Sequence, residues 1–303
     1  MENAVYPTTL PFVKPDTNIP IGLIAGYGTF PLVFAQSARN LGYKVSCAAL
    51  KDMASEELKP HVHDFYWCGA AKMGKMIRYF KNQGVHQVVM AGKFHKSNII
   101  YKPWKIFNLL PDFRTIMFWY MRNRKDNKDD TLLLSVIAEF SRDGLEFASA
   151  LDFCPEILVK PGLLTSRKLS LQENKDIAFG WPIAREMGRL DIGQSIVIKD
   201  LSVLAVEAVE GTDKNILRAG ELCKAGGFVV VKVAKPNQDR RFDVPTIGTG
   251  TIESIHKAKG KVLAIEAGQT IILDEQKTID LANSYGISII SLTDESITNL
   301  LSS

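Results

Sequence analysis

The sequence predicts an α/β fold divided into two domains, and three observations carry that prediction. Its 303 residues exceed the roughly 100–200 of one typical domain. Short apolar runs that end in glycine alternate with helical patterns at the spacing of βαβ units, which build parallel sheets. The composition, 46% hydrophobic and 23% charged, suits a packed core and argues against disorder.

The elements follow in order. Residues 1–20, with Pro7, Pro11, Pro15 and Pro20, read as an extended lead-in. IGLIA (21–25) is a buried strand that breaks at Gly26-Tyr27-Gly28. Pro31 suits the first turn of the next helix, and Gly42 ends it. Strands follow at 43–50 and 62–67, a helix at 73–84 closed by Gly84, and a strand at 86–92. After an aromatic and basic stretch, a helix runs from Lys128-Asp129-Asp130 to Gly144. The first domain therefore spans 21–155. The pattern loosens around Pro155, Pro161, Gly162 and Pro182, so 156–182 reads as a linker region and 183–303 as a second α/β domain. That domain carries strands at 196–198, 202–210, 228–234, 262–267 and 287–292, with helices at 213–225, 250–259 and 276–284.

Composition excludes several classes. Thirty-seven basic against 33 acidic residues give +4, too mild for a binder that relies on nucleic-acid phosphates. The four cysteines, Cys47, Cys68, Cys154 and Cys223, form no CxxC pair; a reduced, cytoplasmic chain is expected. Residues 17–38 carry no charge, but Pro20, Gly22, Gly26, Gly28 and Pro31 fit a strand, a turn and a helix start rather than a membrane span.

Five segments carry candidate chemistry. The Gly26–Pro31 turn lies where phosphate meets backbone N–H groups in nucleotide-binding folds. Pro31 replaces the third glycine of GxGxxG and no acidic residue ends the second strand, which favours a nucleoside diphosphate over NAD; a plain βα turn is the alternative. His61 and His63 alternate on one strand-like face, as two metal ligands or as surface histidines. In 99–124, Tyr101, Trp104, Phe107, Phe113, Phe118, Trp119 and Tyr120 mix with five Lys/Arg, the pattern of a core helix or of a lipid-contacting surface. The loop 235–246 places Lys235, Gln238, Asp239, Arg240, Arg241, Asp243 and Thr246 after an apolar strand, where open α/β sheets bind ligands. Carboxylates there suit Mg²⁺ and arginines suit phosphate. Glu207, Glu210, Gly211, Thr212 and Asp213 add oxygen ligands at a helix start, with Thr212 the expected N-cap. The residues alone point to a phosphate-handling hydrolase or transferase, and a solvated loop is the alternative.

GRLDIGQSIVIKDLSVLAVEAVEGTD (188–213), KPNQDRRFDVPTIG (235–248) and LAIEAG (263–268) resemble the LpxI-type UDP-2,3-diacylglucosamine pyrophosphatases of lipid A biosynthesis. GLIAGYGTFP (22–31), AGK (91–93) and KDD (128–130) match in order, with KDD where relatives have GDD. The resemblance implies a Rossmann-like first domain and a second α/β domain of unusual topology. It implies hydrolysis to UMP and 2,3-diacylglucosamine 1-phosphate by water attacking the α-phosphorus, with Mg²⁺ or Mn²⁺. It assigns Asp243 as the essential aspartate, metal ligand or water-orienting base, with Asp239 and Asp213 assisting and Asp239 also on the metal. Gly26, Gly28, Lys93, Asp130, Glu210, Gly211, Thr212, Lys235, Gln238, Arg241 and Thr246 become substrate contacts. A cytoplasmic homodimer is implied, touching the inner membrane, with 99–124 sheltering the acyl chains. The alternatives are a dinucleotide-dependent enzyme or a non-catalytic nucleotide-sugar or lipid binder.

Overall fold

The structure, a computed structural model, describes residues 16–92, 111–122, 129–236, 239–241 and 244–300. The chain divides after Pro155 into two compact units. The first unit runs β1 (Ile21–Ala25), α1 (Phe30–Asn40), β2 (Val45–Leu50), β3 (Asp64–Cys68), α2 (Met73–Asn82) and β4 (Gln87–Ala91). It continues with α3 (Phe113–Arg122), α4 (Asp129–Ser141), β5 (Glu146–Ala148) and α5 (Ala150–Phe153). Its sheet has the order β3-β2-β1-β4-β5, and every pair is parallel. This is the Rossmann-type order, as the alternation of strands and helices predicts. β1 and β2 are buried at every position, because a parallel strand with helices on its sheet loses its solvent face. Pro31 does fall in the first turn of α1, and Pro31, Phe34, Ala35 and Ala38 form its buried stripe.

β1 and β4 are the two strands between which the chain reverses its direction of winding, and their ends are glycines. The Gly26 N–H donates to the Ala91 carbonyl at 2.8 Å. Gly92 has φ +96°, and a Cβ there would stand 2.8 Å from the Tyr27 carbonyl oxygen. No other residue fits both the conformation and the space.

The second unit begins with β6 (Gly162–Leu163) and α6 (Leu171–Arg189), then β7 (Ser195–Lys199), β8 (Ser202–Val206), α7 (Thr212–Leu222) and β9 (Val229–Lys232). It ends with β10 (Thr246–Ile247), α8 (Thr249–Lys257), β11 (Val262–Glu266), β12 (Ile271–Ile272), α9 (Glu275–Ser284), β13 (Ser288–Leu292) and α10 (Asp294–Leu300). The main sheet has the order β6-β13-β11-β9-β7-β8. β13, β11 and β9 are parallel, while β6, β7 and β8 are antiparallel to their neighbours. One face packs residues of α7, α8 and α9; the other packs α6 and α10.

Two expectations are corrected here. Residues 156–182 are not a linker: β6 pairs with β13, and Ile177 and Trp181 of α6 are core residues. Pro182 lies inside α6 without ending it. The strand expected over 202–210 stops at Val206, where the chain turns toward α7.

α6 is held at its start by a reciprocal cap. Ser170 Oγ accepts from the Glu173 N–H at 3.3 Å, and Glu173 accepts from the Ser170 N–H at 2.7 Å. Arg167 adds a bond to Glu173 at 2.6 Å. Burial opposes the Glu173 charge, but the bonds from Arg167 and Ser170 outweigh it and hold the carboxyl below its ordinary 4.5. A carboxyl depressed on folding contributes stability in full above that value, and the contribution is lost as pH falls through the folded value. Glu173→Gln should therefore cost about 1–2 kcal/mol at pH 7 and flatten the loss of stability below pH 4.5. Urea unfolding at both pH values checks this; equal acid slopes in the two proteins would remove Glu173 from the account.

Candidate active site

The antiparallel β7 brings two distant turns of the second unit to one edge of its sheet. Ser195, at the start of β7, pairs with Lys232 at the end of β9, and Lys232 pairs with Ile265 of β11. On the other side, the Glu207 N–H donates to the Ser195 carbonyl at 2.9 Å. Because β8 runs back along β7, the Glu207–Thr212 turn and the 233–245 loop both leave from the carboxyl edge of the sheet. The two acidic segments singled out in the sequence thus leave the same edge of one sheet.

Polar groups collect along this edge although the strands behind it are apolar. Glu207 is 7% exposed, Lys232 5% and Ser195 wholly buried. Strand alternation puts all three on the face of Ala205, Val197 and Val230, each two residues in from that edge along its strand. Asn215 of α7 reaches the Ser195 hydroxyl at 3.3 Å. Lys232 Nζ donates to the Thr246 carbonyl at 3.0 Å, which ties the end of β9 to the start of β10. Glu207 was expected among the oxygen ligands of its turn; Lys232 and Glu266 were not expected from the sequence. Their signal is a charged residue at or just past the last position of an apolar strand.

The 233–245 loop is anchored at both feet. Its first foot is the Ala234 N–H, bonded to Glu266 Oε2 at 2.8 Å. Its second foot is β10, parallel to β12. Pro236 and Pro245, with Lys235, Arg240 and Gln269, line a cavity of about 80 Å³. Two cations and an amide around so small a space suit an anion.

The candidate residues already hold one another. Both oxygens of Asp239 accept from Arg241, at 2.9 and 3.1 Å from Nε and 2.5 Å from a terminal nitrogen. Lys235 Nζ meets Asp191 at 2.7 Å, and Thr246 Oγ1 donates to the Val244 carbonyl at 2.9 Å. Glu210 pairs with Arg218 at 2.9 Å. Its carboxyl is held below the ordinary range by its own backbone N–H, then by the Ala208 N–H and the Arg218 charge. Asp213 stands exposed in the first turn of α7. Thr212 is not the N-cap expected of it: Gly211 takes that position, and the Thr212 hydroxyl donates to Glu207 at 3.1 Å.

Lys93, Gln238 and Asp243 lie outside the described residues, as does most of 99–124; Asp130 lies in α4, its side chain outside them. Gly26 and Gly28 belong to the turn of the first unit. His61 ends a short 3₁₀ turn near Gln36, and among the described residues no three His, Cys, Asp or Glu side chains gather as a metal group. Asp239 offers hard oxygens of the kind Mg²⁺ takes, in this structure turned to Arg241. No helix among the described residues is long and apolar enough to cross a membrane.

Comparison with known proteins agrees with this division of the chain. Residues 20–157 match the LpxI N-terminal domain and residues 160–290 the LpxI C-terminal domain. A protein of Caulobacter vibrioides, named UDP-2,3-diacylglucosamine pyrophosphatase LpxI, is 30% identical over 282 residues. The alignment covers 90% of this chain and 97% of that protein.

Proposed function

This chain belongs to the LpxI family, and we propose that it cleaves UDP-2,3-diacylglucosamine to UMP and 2,3-diacylglucosamine 1-phosphate. It is a hydrolase of a phosphoric anhydride. The observation that carries the substrate reading is the convergence of the Glu207–Thr212 turn and the anchored 233–245 loop on one sheet edge.

The chemistry follows from that edge. Water attacks the α-phosphorus, the bond from that phosphorus to the bridging oxygen breaks, and the bridging oxygen leaves with the sugar phosphate. Arg240, Arg241 and Lys235 supply positive charge where the leaving phosphate gains negative charge. When the pyrophosphate enters, it competes with Asp239 for Arg241, and the freed Asp239 joins Asp243 in orienting the water. Asp239 and Asp243 would hold a divalent ion, Mg²⁺ or Mn²⁺, which would add Lewis-acid charge neutralisation. Asp213, Glu210, Gly211, Thr212, Gln238 and Thr246 complete the substrate contacts at this edge in the reading, and Gly26, Gly28, Lys93 and Asp130 those of the first unit.

The lipid half of the substrate gives α3 its role. Phe113 is 76% exposed and Ile116 and Met117 stand out beside it, at the i, i+3, i+4 spacing of one helix face. That face suits transient contact with the inner leaflet by a cytoplasmic homodimer. Hydrolysis in ¹⁸O water tests the attack site. Label in UMP is expected; label in the sugar phosphate would move the attack to the other phosphorus, and no release of UMP would sink the substrate.

A further inference from the structure

We propose that Glu266 is a positioning residue of the reaction: it holds the 233–245 loop in register through the Ala234 N–H, and Arg185 and Asp294 hold Glu266. This rests on the hydrolase reading only for its kinetic consequence.

The geometry is a relay across the face of the sheet opposite Lys232. Glu266, the last residue of β11, is 7% exposed, and strand alternation sets it on the face of Ala264, against α6 and α10. One oxygen accepts from the Ala234 N–H at 2.8 Å, and the other accepts from Arg185 at 2.9 Å. Arg185 also donates to both oxygens of Asp294, at 2.9 and 3.0 Å. The Trp181 indole N–H completes the relay, donating to Asp294 Oδ1 at 2.8 Å. Burial disfavours the Asp294 charge, but the bonds from Trp181 and Arg185 prevail and keep its carboxyl below the ordinary range.

A buried carboxylate needs partners, and this one has taken a backbone N–H as one of them. Ala234 is two residues past the end of β9, where the chain leaves the sheet to carry Lys235, Asp239 and Arg241. β9 and β11 are already paired up to Lys232 and Ile265, so the strand needs no further clamp. The bond to Glu266 instead sets where the loop departs. Displacing a reacting constellation by about 1 Å can cost on the order of 10²-fold in rate.

The test combines amide hydrogen exchange with kinetics on the full chain, using Glu266→Ala and Glu266→Gln. The glutamine carbonyl can still accept from Ala234, while its NH₂ group cannot replace the ion pair with Arg185. Glu266→Ala should raise exchange at Ala234 and through residue 241 at least tenfold and lower kcat roughly 10–100-fold. KM should stay within about threefold, since the same contacts to bound substrate remain. Glu266→Gln should fall between Glu266→Ala and wild type in both, because it keeps the acceptor for Ala234 but loses the ion pair with Arg185. Unchanged exchange at Ala234, or identical behaviour of the two variants, would overturn the proposal. Exchange raised equally over the whole unit would reduce Glu266 to a fold-stabilising group and overturn it as well. Should Glu266→Ala not fold, Arg185→Ala must by itself raise exchange at Ala234, and wild-type protection there would overturn the relay. The exchange result needs no turnover. A wild-type protein that releases no UMP would therefore sink the hydrolase reading, while the exchange arm still decides the role of Glu266.

Discussion

Asp243→Asn is expected to lower kcat by roughly 10²–10⁴-fold, the range for losing a positioned base. Asparagine keeps the size of the side chain and its capacity to accept one hydrogen bond, but it can neither take a proton nor neutralise a metal charge. KM should change little if Asp243 acts on water rather than on bound substrate. Asp239→Asn offers a graded comparison. Asp239 spends both oxygens on Arg241 in the structure, so its loss also loosens the arginine that the proposed reaction assigns to phosphate. Both kcat and KM should then suffer, with a smaller fall in kcat. Steady-state UMP release at fixed Mg²⁺ measures all four numbers. An Asp243→Asn enzyme within tenfold of wild type would move the base elsewhere in the loop.

The largest expected loss of stability comes from Gly193→Ala. A Cβ on Gly193 would lie 2.1 Å from the Glu207 carbonyl oxygen and 2.8 Å from its carbon. Those are backbone atoms of the chain leaving β8, so they cannot swing aside as a side-chain end would. Either the turn into α7 moves or β7 does, and Glu207 also bonds the Ser195 carbonyl and the Thr212 hydroxyl. We expect about 3 kcal/mol of destabilisation, the upper end of ordinary overpacking. In a unit of this size that is roughly 6–12 °C off its melting transition. Calorimetry checks it, and a transition within a degree of wild type would mean that the contact yields at no cost. Some activity should also be lost below the transition, because the displaced turn carries Thr212 and Asp213.

Much of the fold is legible in the sequence, for a plain reason. Strands such as 21–25 and 262–266 are buried at every residue, so they appear as unbroken apolar runs, and glycines mark where they end. The misses have physical causes too. α6 carries Ser170 and Glu173, a capping-box spacing that announces a helix, but Gly180 and Pro182 break the pattern inside it. Packing decided the matter: Gly180 sits so close to Ile198 that a Cβ would overlap its side chain. β10 and β12 are two residues each and are set by pairing with each other, with Leu158 also bridging Ile271. Of the site, the loop and the Glu207–Asp213 turn were legible as concentrations of charge. Lys232 and Glu266 were not, since a charge at a strand terminus looks like the end of burial. What keeps them buried comes from other strands.

The pairing of β6 with β13 joins Gly162 to Ser291, nearly the first and last strand residues of the second unit. Such contacts are slow to form, because a long loop must close before any pairing rewards it. Asp294, which braces Arg185 against Glu266, follows immediately in the chain. A ribosome that has delivered β7, β8, β9 and β11 has thus made both turns of the edge, while the brace behind them is still unsynthesised. The second unit therefore completes its sheet only once β13 has been made, since β13 joins β6 to the other strands.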